Sequence, residues 1–180
     1  LAALEKGFSK NTTLFDDPKY IKHSFKPKNF DGIHKGPIKL DDCIAQSRNV
    51  CTFELAFRVG PLNISEMSNR LSLTPQGTPG ASIILGAAET TLIKNVAAFA
   101  TIKSEGVYNE PYIIRFILAK YGSITYRHKP SAKNIISAEV STNMQALLDK
   151  VVGPDGTANR ALIPSYKTFG KTGTSQDFRD

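Results

Sequence analysis

Phe169 to Asp180 read FGKTGTSQDFRD. Lys171, Thr172, Gly173 and Thr174 bring an ammonium, two hydroxyls and an unhindered stretch of backbone into four consecutive residues. The longer run SYKTFGKTGT, residues 165–174, reads as a strand. Side chains alternate faces along a strand, which predicts Lys171 and Gly173 on one face and Thr172 and Thr174 on the other. At such a strand end the ammonium supplies fixed positive charge, and the hydroxyls offer hydrogen bonds to a carboxylate. The glycine lets an extended peptide lie close, and the Thr174 amide is available to a developing oxyanion. K-T-G alone is a short motif, and an ordinary strand end could carry it equally well.

A second polar cluster stands far upstream. LDDCIAQ, residues 40–46, has early carboxylates that suit a helix start, and VCTFELAFRVG, residues 50–60, is helical in pattern and stops at Gly60. Ser47, Arg48 and Asn49 interrupt the two. A serine and an asparagine two apart on such a bend can both project into one cleft, or they can simply satisfy backbone groups freed at the turn.

Around these clusters the chain alternates helical and extended patterns. LAALEKG, residues 1–7, looks like the last turns of a helix closed by Gly7. Residues 11–37 are polar, aromatic and proline-bearing without sustained period, and read as loop with short strands. NISEMSNRL, residues 63–71, suggests a helix with Asn63 as N-cap and Ile64, Met67 and Leu71 on its buried face. SLTPQGTPGAS, residues 72–82, is rich in turn residues. A threonine pair then leads into an alanine-rich helix stopped by Gly106. The segment YIIRFILAKYGSITYRHK, residues 112–129, is expected to form a hairpin about YGS. SAEVSTNMQALLDKVV, residues 137–152, predicts a helix capped by Ser137 that buries Val140, Met144, Leu147 and Val151. A helical turn is expected at residues 158–162.

With 180 residues, 41% of them hydrophobic, the chain is able to bury a core without disulfide staples. Its net charge of +7 is scattered, densest in YIKHSFKPKNF at residues 20–30, with no zinc-finger, basic-zipper or RNA-recognition signature beside it. That pattern argues against a nucleic-acid partner and favours an anionic cell surface or a solvated face. Cys43, Cys51 and the three histidines lack metal-ligand spacing, so no metal or other cofactor is expected. If the helices on either side of SRN lead away from the bend, Cys43 and Cys51 are small buried hydrophobes that do not pair. The longest apolar stretch, ASIILGAA at residues 81–88, is far too short to cross a bilayer, so any membrane anchor is expected outside these residues.

Taken together, S-x-N at Ser47–Asn49 and K-T-G-T at Lys171–Thr174 resemble the second and third signatures of the penicillin-binding protein and serine β-lactamase superfamily. LAALEKG, PKNFDG, AQSRNV, LGAAETTL, YRH and KTGTSQDFRD resemble the transpeptidase domain of its class A, bifunctional members, and the likeness runs the length of the chain. The resemblance implies an α+β fold, a helical subdomain with part of an antiparallel sheet. The family's first signature, S-x-x-K, does not occur in a plausible helical position in these residues. It would fall just upstream of Leu1, and family members continue beyond Asp180. Residues 1–180 are therefore expected to be an internal part of such a domain, completed by the missing remainder, and inactive alone.

The resemblance implies a D,D-transpeptidase acting on peptidoglycan stem peptides by serine acyl transfer, acylated by β-lactam antibiotics, on the outer face of a bacterial cytoplasmic membrane. Ser47 would relay a proton toward the leaving group with Lys171 beside it. Asn49 would bond a substrate amide. Thr172, Gly173 and Thr174 would receive the terminal carboxylate, with the Thr174 amide as half of an oxyanion hole. Arg48 holds the variable position and is given no role. The rival readings are a β-lactamase or D,D-carboxypeptidase relative, and a non-catalytic binding module. A β-lactamase needs a carboxylate to activate water, and Glu139, the candidate, is read as a helix-start charge.

Overall fold

The computed structural model describes residues 1–73, 83–86 and 88–173. The helices form where apolar residues recur with helical period, and they pack around the Ser47 bend. α1 (Ala2–Glu5) ends in a Schellman motif: Gly7, at φ 82°, donates to the Leu4 carbonyl, and Phe8 donates to that of Ala3. α2 (Leu40–Ala45) and α3 (Asn49–Val59) flank the bend as expected. α3 buries Val50, Phe53, Ala56 and Val59, one residue every three, along one stripe.

α4 (Pro61–Arg70) starts two residues before the expected cap. Gly60, at φ 91°, lets α3 stop and α4 begin at once, with Pro61 in the first turn. Asn63 is therefore inside the helix, and its amide donates instead to the Val59 carbonyl freed at the end of α3, at 2.8 Å. Met67 and Leu71 are buried as expected. α5 (Leu92–Lys103) is capped by Thr91 and α6 (Ala138–Val152) by Ser137. On α6, Leu147 and Val151 are fully buried, while Val140 and Met144 pack from the edge. The turn-rich stretch at residues 72–82 lies almost entirely outside the described residues.

Among the described residues, six short strands pair antiparallel in twos. β1 (Thr13–Asp16) pairs with β2 (Gly36–Lys39), β3 (Val107–Asn109) with β6 (Ala132–Asn134), and β4 (Phe116–Leu118) with β5 (Ile124–Arg127). The last pair is the expected hairpin. A short helical turn follows at Asn159–Ala161. One core gathers Leu4, Leu14, Ile38, Leu40, Cys43, Cys51 and Leu147, so α1, the first ribbon, α2, α3 and α6 meet behind the bend. A second holds Met67, Leu71, Ala98 and Ile136, and a third Ile21, Val50 and Phe53.

Two further expectations fail. Residues 165–173 form no strand. A strand needs a neighbouring backbone, and none is paired with this segment among the described residues; Gly170 donates to the Leu148 carbonyl of α6 instead. The cysteines also pair: Cys43 and Cys51 form a disulfide, with Cα atoms 6.4 Å apart. The helices do not simply lead away from the bend. Ser47 adopts φ 53°, reversing the chain so tightly that the last turn of α2 meets the first turn of α3.

Candidate active site

A left-handed φ at a residue other than glycine costs on the order of 1–3 kcal/mol and persists where its surroundings over-determine it. At Ser47 they do. Its amide donates to the Ile44 carbonyl at 3.1 Å, the Arg48 amide donates to that of Cys43 at 3.0 Å, and the disulfide spans the bend. The side chain is thereby held out from the joint, exposed at the surface.

Lys171 reaches that hydroxyl from 124 residues further along the chain, its Nζ donating to Ser47 Oγ. The ammonium also lies 3.3 Å from both the hydroxyl and the carbonyl oxygen of Thr172. The two side chains therefore converge, where the strand reading had placed them on opposite faces. Lys171 is exposed by surface area, yet burial around the ammonium end lowers its pKa from the ordinary lysine value. The Thr172 hydroxyl continues the chain of polar contacts to the Thr157 hydroxyl at 2.9 Å.

The loop after α6 carries this group to the bend. Thr157 donates its amide to the Ala45 carbonyl at the end of α2, and Ala158 donates to that of Val151. Gly156 passes so close to α6 that an added Cβ would lie 1.9 Å from the Val151 carbonyl oxygen. At the other end of α2, Asp41 and Asp42 in its first turn bond Lys150 in the last turn of α6, at 2.9 and 2.5 Å. Lys171 and Ser47 are thus carried by elements tied to one another at both ends of α2.

The remaining expected residues are placed differently. Asn49 donates its amide to the Lys28 carbonyl at 2.9 Å, which ties it to the 18–35 segment. Gly173 is exposed, with open space where a Cβ would stand. Thr174 lies outside the described residues. Glu139 is exposed in the first turn of α6, a helix-start charge as expected.

Arg48, which the sequence left without a role, is 5% exposed. Its Nη2 lies 2.8 Å from Asp16 Oδ2 and its Nη1 2.6 Å from Asp31 Oδ2, and Nη2 also donates to the Ile33 carbonyl. Burial opposes the charge on the guanidinium, but the hydrogen bonds to Asp31 and Asp16 outweigh it and raise its pKa. Asp31 in turn is held below the usual carboxylate range by the Ile33 amide and by Arg48. The fully buried Asp16 also accepts from Asn29 at 2.8 Å and from the Lys35 amide at 3.1 Å. Asn29 Oδ1 accepts from Val50 N in the first turn of α3, a cap supplied from outside the helix. Asn29 and Asp31 fall in PKNFDG, a stretch that drew notice by its resemblance but gave no sign of its partners.

An α+β chain that sets a helix-joint serine against a K-T-G lysine has the arrangement of a serine acyl-transfer domain. The family model for the penicillin-binding protein transpeptidase domain matches residues 1–180, and the chain belongs to that family. Penicillin-binding protein 1A of Rickettsia conorii is 33% identical over 207 residues, covering 100% of this chain and 26% of that protein. The chain thus spans about a quarter of the length of the curated relatives it matches. The crystal structure of penicillin-binding protein 1A from Haemophilus influenzae has the same fold, with TM-score 0.79 at 24% identity over 88% of this chain and 30% of that one. Penicillin-binding protein A from M. tuberculosis, solved as an imipenem acyl-enzyme complex, gives TM-score 0.80 at 16% identity over 97% and 46%.

Proposed function

We propose that the chain is part of a D,D-transpeptidase domain that cross-links peptidoglycan stem peptides by serine acyl transfer, and that β-lactams acylate the same centre. The observation that carries this reading is the Lys171 Nζ contact on Ser47 Oγ, between two motifs 124 residues apart. A lysine of lowered pKa beside a hydroxyl is suited to passing a proton between them. In this reading Ser47 relays a proton to the leaving amine, and Lys171 tunes that hydroxyl. Asn49 Oδ1 accepts a substrate amide while its Nδ2 stays on Lys28. Thr172, Gly173 and Thr174 receive the terminal carboxylate, with the Thr174 amide supplying an oxyanion donor. The reaction takes place on the outer face of the bacterial cytoplasmic membrane. Among the described residues no helix is long and apolar enough to cross that membrane.

The nucleophile is the serine of an S-x-x-K segment, and these residues contain no such sequence. Residues 1–180 alone should form no covalent adduct with benzylpenicillin, because oxyanion and carboxylate donors cannot make an acyl-enzyme without a nucleophile. Intact-mass measurement checks this: the full-length protein should gain the mass of one benzylpenicillin, and residues 1–180 none. A stable adduct on the short chain would show the nucleophile to lie within it. A full-length protein that stays unlabelled would favour a non-catalytic binding module.

A further inference from the structure

We propose that Arg48 is a positioning residue: its guanidinium clamps the 16–33 segment onto the bend and so keeps the Ser47 hydroxyl on Lys171, a role that rests on the acyl-transfer reading of that pair. A buried guanidinium is costly to leave unpaired, so a site that buries one fixes its partners. Here Nε and Nη2 both meet Asp16 Oδ2, at 3.0 and 2.8 Å, while Nη1 meets Asp31 Oδ2 at 2.6 Å. This is a use of the planar fork that an ammonium cannot reproduce. The Arg48 backbone is held as well, its amide on Cys43 O at 3.0 Å and its carbonyl on Thr52 Oγ1 at 2.7 Å.

Ser47 therefore precedes a residue fixed through both backbone and side chain, and its left-handed conformation has little freedom to relax. Lys171 comes from a different segment, tied to α6 through Gly170 and to Thr157 through Thr172. Loosening the fork should thus move the serine away from the lysine and leave the lysine in place. The disulfide keeps α2 and α3 together in either case, so the contribution of Arg48 is to the shape of the bend between them.

The test is a double-mutant cycle in the full-length protein, read as acylation by a chromogenic cephalosporin. Arg48→Lys keeps the charge and loses the fork; it should slow acylation about tenfold or more, since small misplacements of a reacting group are costly. In a Ser47→Ala background the same change should alter the rate less than about twofold, because the group it positions is gone. Equal slowing in both backgrounds would overturn the proposal. Asp31→Asn, at a half-exposed partner, should show the same non-additivity more weakly and remains usable if Arg48→Lys does not fold. If the parent is not acylated at all, the acyl-transfer reading fails, and amide hydrogen exchange then decides the positioning claim. Arg48→Lys should speed exchange at residues 47–52 by about tenfold and leave residues 98–102 of α5 unchanged; uniform or absent change contradicts it.

Discussion

Lys171 combines exposure with a lowered pKa, and that pairing has a direct chemical consequence. An amine whose ammonium is disfavoured holds a larger neutral fraction at a given pH, and the neutral amine is the nucleophile. Lys150 is its natural control, since hydrogen bonds to Asp41 and Asp42 raise its pKa. On stepwise titration with an acylating amine reagent, followed by peptide mass mapping, Lys171 should become labelled at a lower pH than Lys150. The reverse order would show that the ammonium is solvated and not set into the cleft. Of the two residues in contact, each was legible from its motif, whereas their support was not. Arg48 acts through Asp16, 32 residues away, and Asp31, 17 residues away, in a segment without periodicity, and no local pattern encodes such a meeting.

At the scale of elements, the helices were legible because their burial follows a period visible in the sequence, as Leu147 and Val151 on α6 illustrate. The β4–β5 hairpin was legible because its turn residues separate two β-rich runs. The 165–173 segment was misread because strand character depends on a partner elsewhere in the fold, which local composition cannot report. The cysteine pair was misread because it depends on one backbone angle at Ser47. That correction is testable: thiol titration under denaturing, non-reducing conditions should find no free thiols, and two would restore the unpaired reading. Gly156 gives a second test. Placing a Cβ 1.9 Å from Val151 O forces the loop off α6, so Gly156→Ala should cost about 1–3 kcal/mol, as overpacking does, and slow acylation by displacing Thr157 and Thr172. Unchanged melting and unchanged rate would mean that the loop does not hold the site.

For the molecule as a whole, the ties that assemble the site also set its response to acid. Asp31 has a lowered pKa because the Ile33 amide and Arg48 stabilise its charge. Asp41 is opposed by burial but brought below its ordinary value by Lys150 and the Asp42 amide. Groups depressed in this way contribute stability that is fully present above the unfolded value of about 4 and lost as the pH falls through the lower folded values. Melting temperature should therefore fall below about pH 4, and the Asp31→Asn, Asp41→Asn double variant should flatten that fall; equal slopes would remove these carboxylates from the account. The central claim, that the convergence of Lys171 on Ser47 is an acyl-transfer site, is tested most directly by stopped-flow acylation of full-length Lys171→Ala with a chromogenic cephalosporin, alongside thermal melts. Loss of one preorganised electrostatic group should slow acylation on the order of a hundred- to a thousandfold, with stability changed by no more than about 0.5 kcal/mol. Acylation at the parental rate would contradict the claim.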